Sequence, residues 1–133
     1  MLKVGINGIG RIGKAIFKNN LKKGAFKVVA LNDINPDREN LAYQINYDTL
    51  YGRLDKKFRV DGKYLVNEDH KISIFNTPHI DEVPWDEAGV DIVIDSSGVL
   101  DNVLRAKIAV EKGLVKKVVV THSPVEVDFT MVL

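Results

Sequence analysis

Four short apolar runs, each ending in a polar residue, are separated by stretches whose apolar spacing turns helical. The runs are Val4 to Asn7 (VGIN), Lys27 to Asn32 (KVVALN), Asp91 to Asp95 (DIVID) and Lys116 to Thr121 (KKVVVT). Continuous apolar runs of this length belong to strands buried on both faces, the pattern of a parallel sheet. Strands alternating with helices require right-handed crossovers and helices on both sides of the sheet. With 133 residues, 45% of them hydrophobic, the chain is expected to form one domain spanning 1–133. A chain of this size buries roughly two thirds of the surface its unfolded form exposes, so it needs neither disulfides nor metal to build a core.

The intervening stretches supply the helices. After Gly10, Ile12, Ala15 and Ile16 recur at helical spacing, with Arg11, Lys14, Lys18 and Lys22 expected on the outer side. Lys22-Lys23-Gly24 is a stop, because cations suit the last turn and glycine accepts the left-handed conformation beyond it. Asn35-Pro36 reads as the start of a second helix that turns Leu41, Ala42 and Ile45 inward. Asp101 is placed to cap a third, which carries Leu104 and Ile108 and stops at Gly113. Between Lys57 and Phe75 the pattern alternates instead, and Asp61-Gly62 marks a hairpin, so an antiparallel ribbon is expected around residues 57–75. Trp85 is expected to anchor the segment before the strand at Asp91. Phe129 to Leu133 starts one more apolar run, and the sequence reaches its last residue in mid-pattern, which predicts a chain cut before a further domain.

In a doubly wound parallel sheet, ligands bind beyond the carboxyl ends of the strands. The loops there follow Asn7, Asn32, Asp95 and Thr121. The first is Gly8-Ile9-Gly10-Arg11-Ile12-Gly13, a G-x-G-x-x-G directly after a strand and opening a helix, with Asp33 at the tip of the second strand, 20 residues past Gly13. Each part has a task. Gly8 permits the tight turn, Gly10 lets the backbone approach a pyrophosphate, and Gly13 lets helix and strand pack closely. The pyrophosphate then meets free amides at the positive end of the helix dipole, with Arg11 beside it. This is the α/β, doubly wound, mostly parallel (Rossmann) pattern, with the ribbon inserted.

Asp33 also bears on which dinucleotide fits. A carboxylate accepts hydrogen bonds from the adenosine ribose hydroxyls and repels a 2′-phosphate; two such charges about 4 Å apart at a partly exposed site oppose each other by roughly 4 kcal/mol. NAD is therefore expected rather than NADP, with Arg38 as the residue able to offset that repulsion by swinging toward the ribose. Ser96-Ser97-Gly98 offers hydroxyls and amides for the second ribose. His122, in Thr121-His122-Ser123-Pro124, reads as a polar loop residue, since no positioned partner accompanies it.

Other chemistries find no support. The histidines His70, His79 and His122 lie at no metal-ligand spacing, so no metal is expected. With no cysteine, the sequence holds no thiol nucleophile. The net charge of +1, from 19 basic and 18 acidic residues, argues against nucleic acid as a partner. No run is long enough for a membrane span, and a soluble, cytoplasmic protein is expected.

The motifs taken in order resemble those of phosphorylating glyceraldehyde-3-phosphate dehydrogenase, specifically its N-terminal NAD-binding half. The resemblance rests on Asn7-Gly8-Ile9-Gly10-Arg11-Ile12-Gly13, Leu31-Asn32-Asp33, Tyr47-Asp48-Thr49-Leu50-Tyr51-Gly52-Arg53, Trp85 ahead of Ala88-Gly89-Val90-Asp91, Ser97-Gly98 and Lys116-Lys117-Val118-Val119. It implies Asn7, Gly8, Gly10, Arg11 and Ile12 around the pyrophosphate, Asn32 and Asp33 at the adenosine ribose, and Thr77 toward the adenine. It further implies Ser97 and Gly98 near the second ribose and Thr121 beside the nicotinamide. Three positions depart from the family pattern: Ile9 for a usual phenylalanine, Asn76-Thr77 where an arginine often stands, and Thr121-His122-Ser123 for a Ser/Thr-Ala/Gly-Pro. The family's catalytic cysteine and histidine have no counterpart, so the chain alone is expected to be inactive. The resemblance implies NAD as cofactor, a phosphorylated aldehyde as substrate of the full-length protein, a glycolytic role and a homotetramer. Two alternatives stay open: the cofactor domain of an erythrose-4-phosphate dehydrogenase, or a free-standing, non-catalytic NAD-binding module.

Overall fold

The computed structural model describes residues 1–47, 54, 56–99 and 101–121, without the side chains of 101–103. The expected strand at Phe129 to Leu133, His122 and the motif residues Asp48 to Arg53 lie outside the described residues. The strands are β1 (Lys3–Asn7), β2 (Lys27–Asn32), β3 (Arg59–Asp61), β4 (Tyr64–Val66), β5 (Lys71–Phe75), β6 (Ile92–Asp95) and β7 (Lys117–Val120). The helices are α1 (Arg11–Lys23), α2 (Arg38–Tyr47) and α3 (Asp101–Glu111). Among the described residues the strands form a single sheet in the order β3-β4-β5-β2-β1-β6-β7. β5, β2, β1, β6 and β7 run parallel to their neighbours in that series, and β3 and β4 add the antiparallel ribbon at one edge. The chain winds outward from β1 to β2, then returns to the other side of β1 at β6. The switch point of the sheet therefore lies above the carboxyl ends of β1 and β6.

Apolar side chains sort to the two faces. Val4, Ile6 and Leu31 pack with Phe17 of α1 and with Leu41, Ala42 and Ile45 of α2. Val93 and Val118 pack on the opposite face with Ala106 and Ala109 of α3, Ile80 and Trp85. Trp85 is fully buried, donates its indole N–H to the Ile80 carbonyl at 2.9 Å, and lies so close to β1 that a Cβ on Gly5 would stand 2.7 Å from its ring. It is the anchor the sequence predicts.

Five details differ from the sequence expectations. Helix α1 buries Gly13, Phe17, Lys18 and Asn20, whereas Ile12 is 51% exposed. The inward stripe is set by Phe17 and by Asn20, whose amide is held in both directions by the Phe26 backbone. In α3 the inward residues are Ala106 and Ala109, while Leu104 and Ile108 are exposed; small side chains let that helix sit close to its neighbours. The hairpin turn uses Gly62 and Lys63, between the paired residues Asp61 and Tyr64, with Gly62 at φ 60° supplying the left-handed first position. Lys71–Phe75, expected as a ribbon strand, pairs antiparallel with β4 and also parallel with β2, because it carries the inward residues Ile72 and Ile74 that the core requires.

The fifth concerns the start of α2, which begins at Arg38 rather than at Pro36. Asn35 is spent on a turn, accepting the Asp37 N–H at 3.0 Å, and Asp37 caps the helix by accepting the Asn40 N–H at 3.0 Å. Removing such a cap costs about 1 kcal/mol. Asp37→Ala is expected to lower the melting temperature by roughly 4 °C, whereas Asn35→Ala lowers it less. Equal losses would contradict this assignment of the cap. Among the described residues no helix is long and apolar enough to cross a membrane.

Candidate functional site

The chain leaves β1 at Asn7 and turns at Gly8, whose φ of 90° is a conformation that side chains disfavour. Space forbids a side chain there as well: a Cβ would stand 2.5 Å from the Ser97 Cα. The Gly8 N–H donates to the Asn32 carbonyl at 2.7 Å, fixing the loop to the end of β2. Helix α1 follows with Gly10 as its N-cap, no side-chain cap and no acidic residue in its first turn. Its first internal bond is Lys14 N–H to the Gly10 carbonyl at 2.9 Å, so the amides of Arg11, Ile12 and Gly13 have no acceptor within the helix. An ideal Cβ on Gly10 meets nothing within 4 Å, so the space over those amides is open. Gly13 is the opposite case, with a Cβ landing 2.2 Å from the Gly8 carbonyl oxygen. The helix dipole and the bare first turn make this a place for an anion.

Asp33 belongs to the same unit. Its Oδ1 accepts the Ile9 N–H from inside the glycine loop at 3.2 Å, and its Oδ2 accepts the Asn35 N–H at 3.2 Å. Asn32, buried beside it, donates its amide to Asn7 Oδ1 at 2.7 Å and to the Thr77 carbonyl at 2.9 Å, and accepts the Thr77 N–H at 2.9 Å. Arg38 is turned away from the role of offsetting a 2′-phosphate. Its Nε donates to Asn76 Oδ1 at 2.9 Å and its Nη1 to the Gly62 carbonyl at 3.0 Å. The Asn76 amide in turn donates to the carbonyls of Asp33 and Asn35.

Across the switch point, Asp95 ends β6 fully buried. Its Oδ1 accepts from the Asn7 amide at 3.1 Å, the Ser97 N–H at 3.1 Å and the Ser97 hydroxyl at 2.7 Å. The Ser96 hydroxyl donates to the Gly8 carbonyl at 2.7 Å, clamping the two loops together. Thr121 stands at the end of β7, where its N–H and hydroxyl both donate to the Asp95 carbonyl.

These groups border an open cleft of about 190 Å³ lined by Asn7, Gly8, Gly10, Asn32, Asp33, Thr77 and Ser97, with Ile34, Pro78, Ser96 and Val99 beside them. Of the other candidates, Arg11 and Ile12 are exposed in the first turn of α1, Gly98 takes φ 72° in the loop after β6, and Thr121 stands outside the cleft wall. Asp95 escaped the sequence reading as a site residue, and Ser96 and Asn76, though named there, were not given the roles they take: Ser96 clamps the glycine loop and Asn76 holds Arg38. Their only signal was position at a strand end, since their partners lie dozens of residues away.

A five-stranded parallel core in this order, with a side-chain-free helix N-terminus at its switch point and an acid bonded to the glycine loop, defines a dinucleotide-binding domain. Residues 2–103 match the family described as glyceraldehyde 3-phosphate dehydrogenase, NAD binding domain, and the chain belongs to that family. It is 38% identical to the glyceraldehyde-3-phosphate dehydrogenase of Oncorhynchus mykiss over 130 residues, which are 98% of this chain and 38% of the relative. It is 40% identical to glyceraldehyde-3-phosphate dehydrogenase 1 of Kluyveromyces lactis over 121 residues, 91% of this chain and 36% of the relative. With the enzyme of Geobacillus stearothermophilus the identity is 38% over 132 residues, 99% of this chain and 39% of the relative. The chain thus spans less than two fifths of the length of these relatives. The cofactor of the family is NAD, as the sequence predicts.

Proposed function

We propose that this chain holds NAD for the oxidation and phosphorylation of glyceraldehyde 3-phosphate, in a full-length protein whose thiol nucleophile lies outside these 133 residues. The observation that carries the reading is the bond from the Ile9 N–H to Asp33 Oδ1, which joins the glycine loop and the ribose-binding acid into one rigid unit facing one cleft. The amides of Arg11 to Gly13 and the Arg11 guanidinium bind the pyrophosphate. The Asp33 carboxylate accepts from the adenosine ribose, with Asn32 and Thr77 closing the adenine side. Ser97 and Gly98 meet the second ribose, and Thr121 lies toward the nicotinamide. When bound, NAD supplies the hydride acceptor. A thiolate must attack the aldehyde before hydride can leave, and no residue of this sequence provides one. The full-length protein is, in this proposal, a cytoplasmic homotetramer of glycolysis.

The test uses the chain as it is. NAD at ten times its dissociation constant is expected to stabilise the fold by about 1.4 kcal/mol, raising the melting temperature by roughly 5 °C. Mixed with glyceraldehyde 3-phosphate, NAD and inorganic phosphate, the chain alone is expected to form no NADH. Absence of any NAD-dependent shift overturns the binding assignment, and NADH formation overturns the placing of the nucleophile elsewhere.

A further inference from the structure

Asp95 is the fully buried carboxylate of the described core that touches the cleft only through other residues. Its Oδ1 gathers three donors, one from Asn7 at the end of β1 and two from Ser97 in the loop after β6, while its Oδ2 is buried without a hydrogen-bond partner among the described residues. Burying a carboxylate with one oxygen unsatisfied is unfavourable, so what it orders on the other oxygen matters. The donors divide in an instructive way. Asn7 is also held from the other side by Asn32, which is itself fixed to the Thr77 backbone in both directions. The adenosine side of the cleft therefore has a brace of its own. The Ser97 backbone and hydroxyl both bond to Asp95, and because a hydroxyl has one proton, the 2.7 Å bond turns that proton away from the cleft. The Ser97 oxygen, which already accepts the Val99 N–H at 3.2 Å, can then meet a ribose only as an acceptor, the character suited to a hydroxyl that donates.

Resting on the dinucleotide reading above, we propose that Asp95 is a positioning residue for the nicotinamide-side ribose: it fixes the loop after β6 and the sense of the Ser97 hydroxyl bond. The geometry separates the two halves of the ligand. In a doubly wound sheet the dinucleotide lies across the switch point, with its adenosine ribose at the acid that ends β2. Ser97 follows β6, on the far side of β1 from Asp33, so its hydroxyl is placed for the second ribose rather than the adenosine ribose.

The experiment compares ADP, ADP-ribose and NAD by titration calorimetry on the 133-residue chain, alongside thermal melts. Asp95→Ala is expected to weaken ADP-ribose and NAD about tenfold while ADP stays within about twofold. Asp95→Asn retains an oxygen acceptor and is expected to restore most of the loss. Equal weakening of all three ligands assigns Asp95 a purely structural role and overturns the proposal, as does unchanged binding of ADP-ribose and NAD. Should Asp95→Ala fail to fold, Ser97→Ala carries the test, because it leaves the Asp95 to Asn7 bond in place. It is expected to weaken ADP-ribose and NAD about fivefold with ADP within twofold, and uniform affinities overturn the proposal. Failure of the unchanged chain to bind any of the three ligands overturns the dinucleotide reading and this inference with it, whereas binding without discrimination overturns only the inference.

Discussion

Gly10→Ala is expected to leave the fold intact and to lower NAD affinity about thirtyfold, some 2 kcal/mol, while Gly13→Ala is expected to weaken the fold itself, and binding with it. The two glycines are three residues apart and do opposite jobs. At Gly10 a Cβ meets no atom within 4 Å, and the backbone at φ −86°, ψ −155° suits any residue. Stability should change by no more than about 0.5 kcal/mol. The added methyl nevertheless stands over the open amides of α1, where a pyrophosphate approaches the backbone. At Gly13 the Cβ is driven to 2.2 Å from the Gly8 carbonyl oxygen and 2.9 Å from Ser96 Oγ. The nearest obstacle is backbone, which cannot step aside, and overpacking of this kind costs about 3 kcal/mol or more. A fall of roughly 10 °C or more in melting temperature follows. Thermal melts and NAD titrations of both variants check the contrast. A Gly10→Ala protein with native affinity would show that the cleft is not the pyrophosphate site.

What the sequence revealed, and what it hid, divides along the range of the interactions concerned. The glycine loop and Asp33 were legible because their spacing is dictated by one strand, one turn and one helix, all local. The Asp33 to Ile9 bond spans only 24 residues within that unit. Strands β1, β2, β6 and β7 were legible as continuous apolar runs, because a parallel strand is buried on both faces. The inward face of α1 was misread in part: Ile16 packs against the core as expected, but Ile12 is exposed and Lys18, expected outward, is buried, because apolar residues alone do not set that face. Gly13 is inward for closeness, and Asn20 is inward because the Phe26 backbone needs both its donor and its acceptor. Leu104 and Ile108 attracted attention for their size, yet the close packing of α3 selects Ala106 and Ala109. Asp95 was hidden for a related reason. An acid at the end of an apolar run looks like a boundary, and its role appears only when Asn7, 88 residues earlier, is seen to share its Oδ1 with Ser97.

Discrimination between the two dinucleotides should rest almost wholly on Asp33. Both oxygens of its carboxylate are oriented by backbone amides, Oδ1 by Ile9 and Oδ2 by Asn35, so the group is held at the rim of the cleft and cannot swing aside. A 2′-phosphate about 4 Å from it is opposed by roughly 4 kcal/mol before salt and rearrangement reduce the penalty. At low salt a preference for NAD over NADP of at least about hundredfold is expected, shrinking as ionic strength rises because the carboxylate is partly exposed. Asp33→Asn keeps an oxygen for the Ile9 N–H and removes the charge. That variant is expected to bind NADP at least tenfold better than the unchanged chain does, and NAD a few-fold worse. Arg38 offers no second route to the phosphate while Asn76 and the Gly62 carbonyl hold its guanidinium, so adding Arg38→Ala to Asp33→Asn should leave NADP affinity within about twofold. Titration of both dinucleotides at two salt concentrations checks each step. A ratio that ignores the Asp33 charge would place the adenosine ribose away from the end of β2, and a large loss on removing Arg38 would mean that it leaves Asn76 when the phosphate arrives.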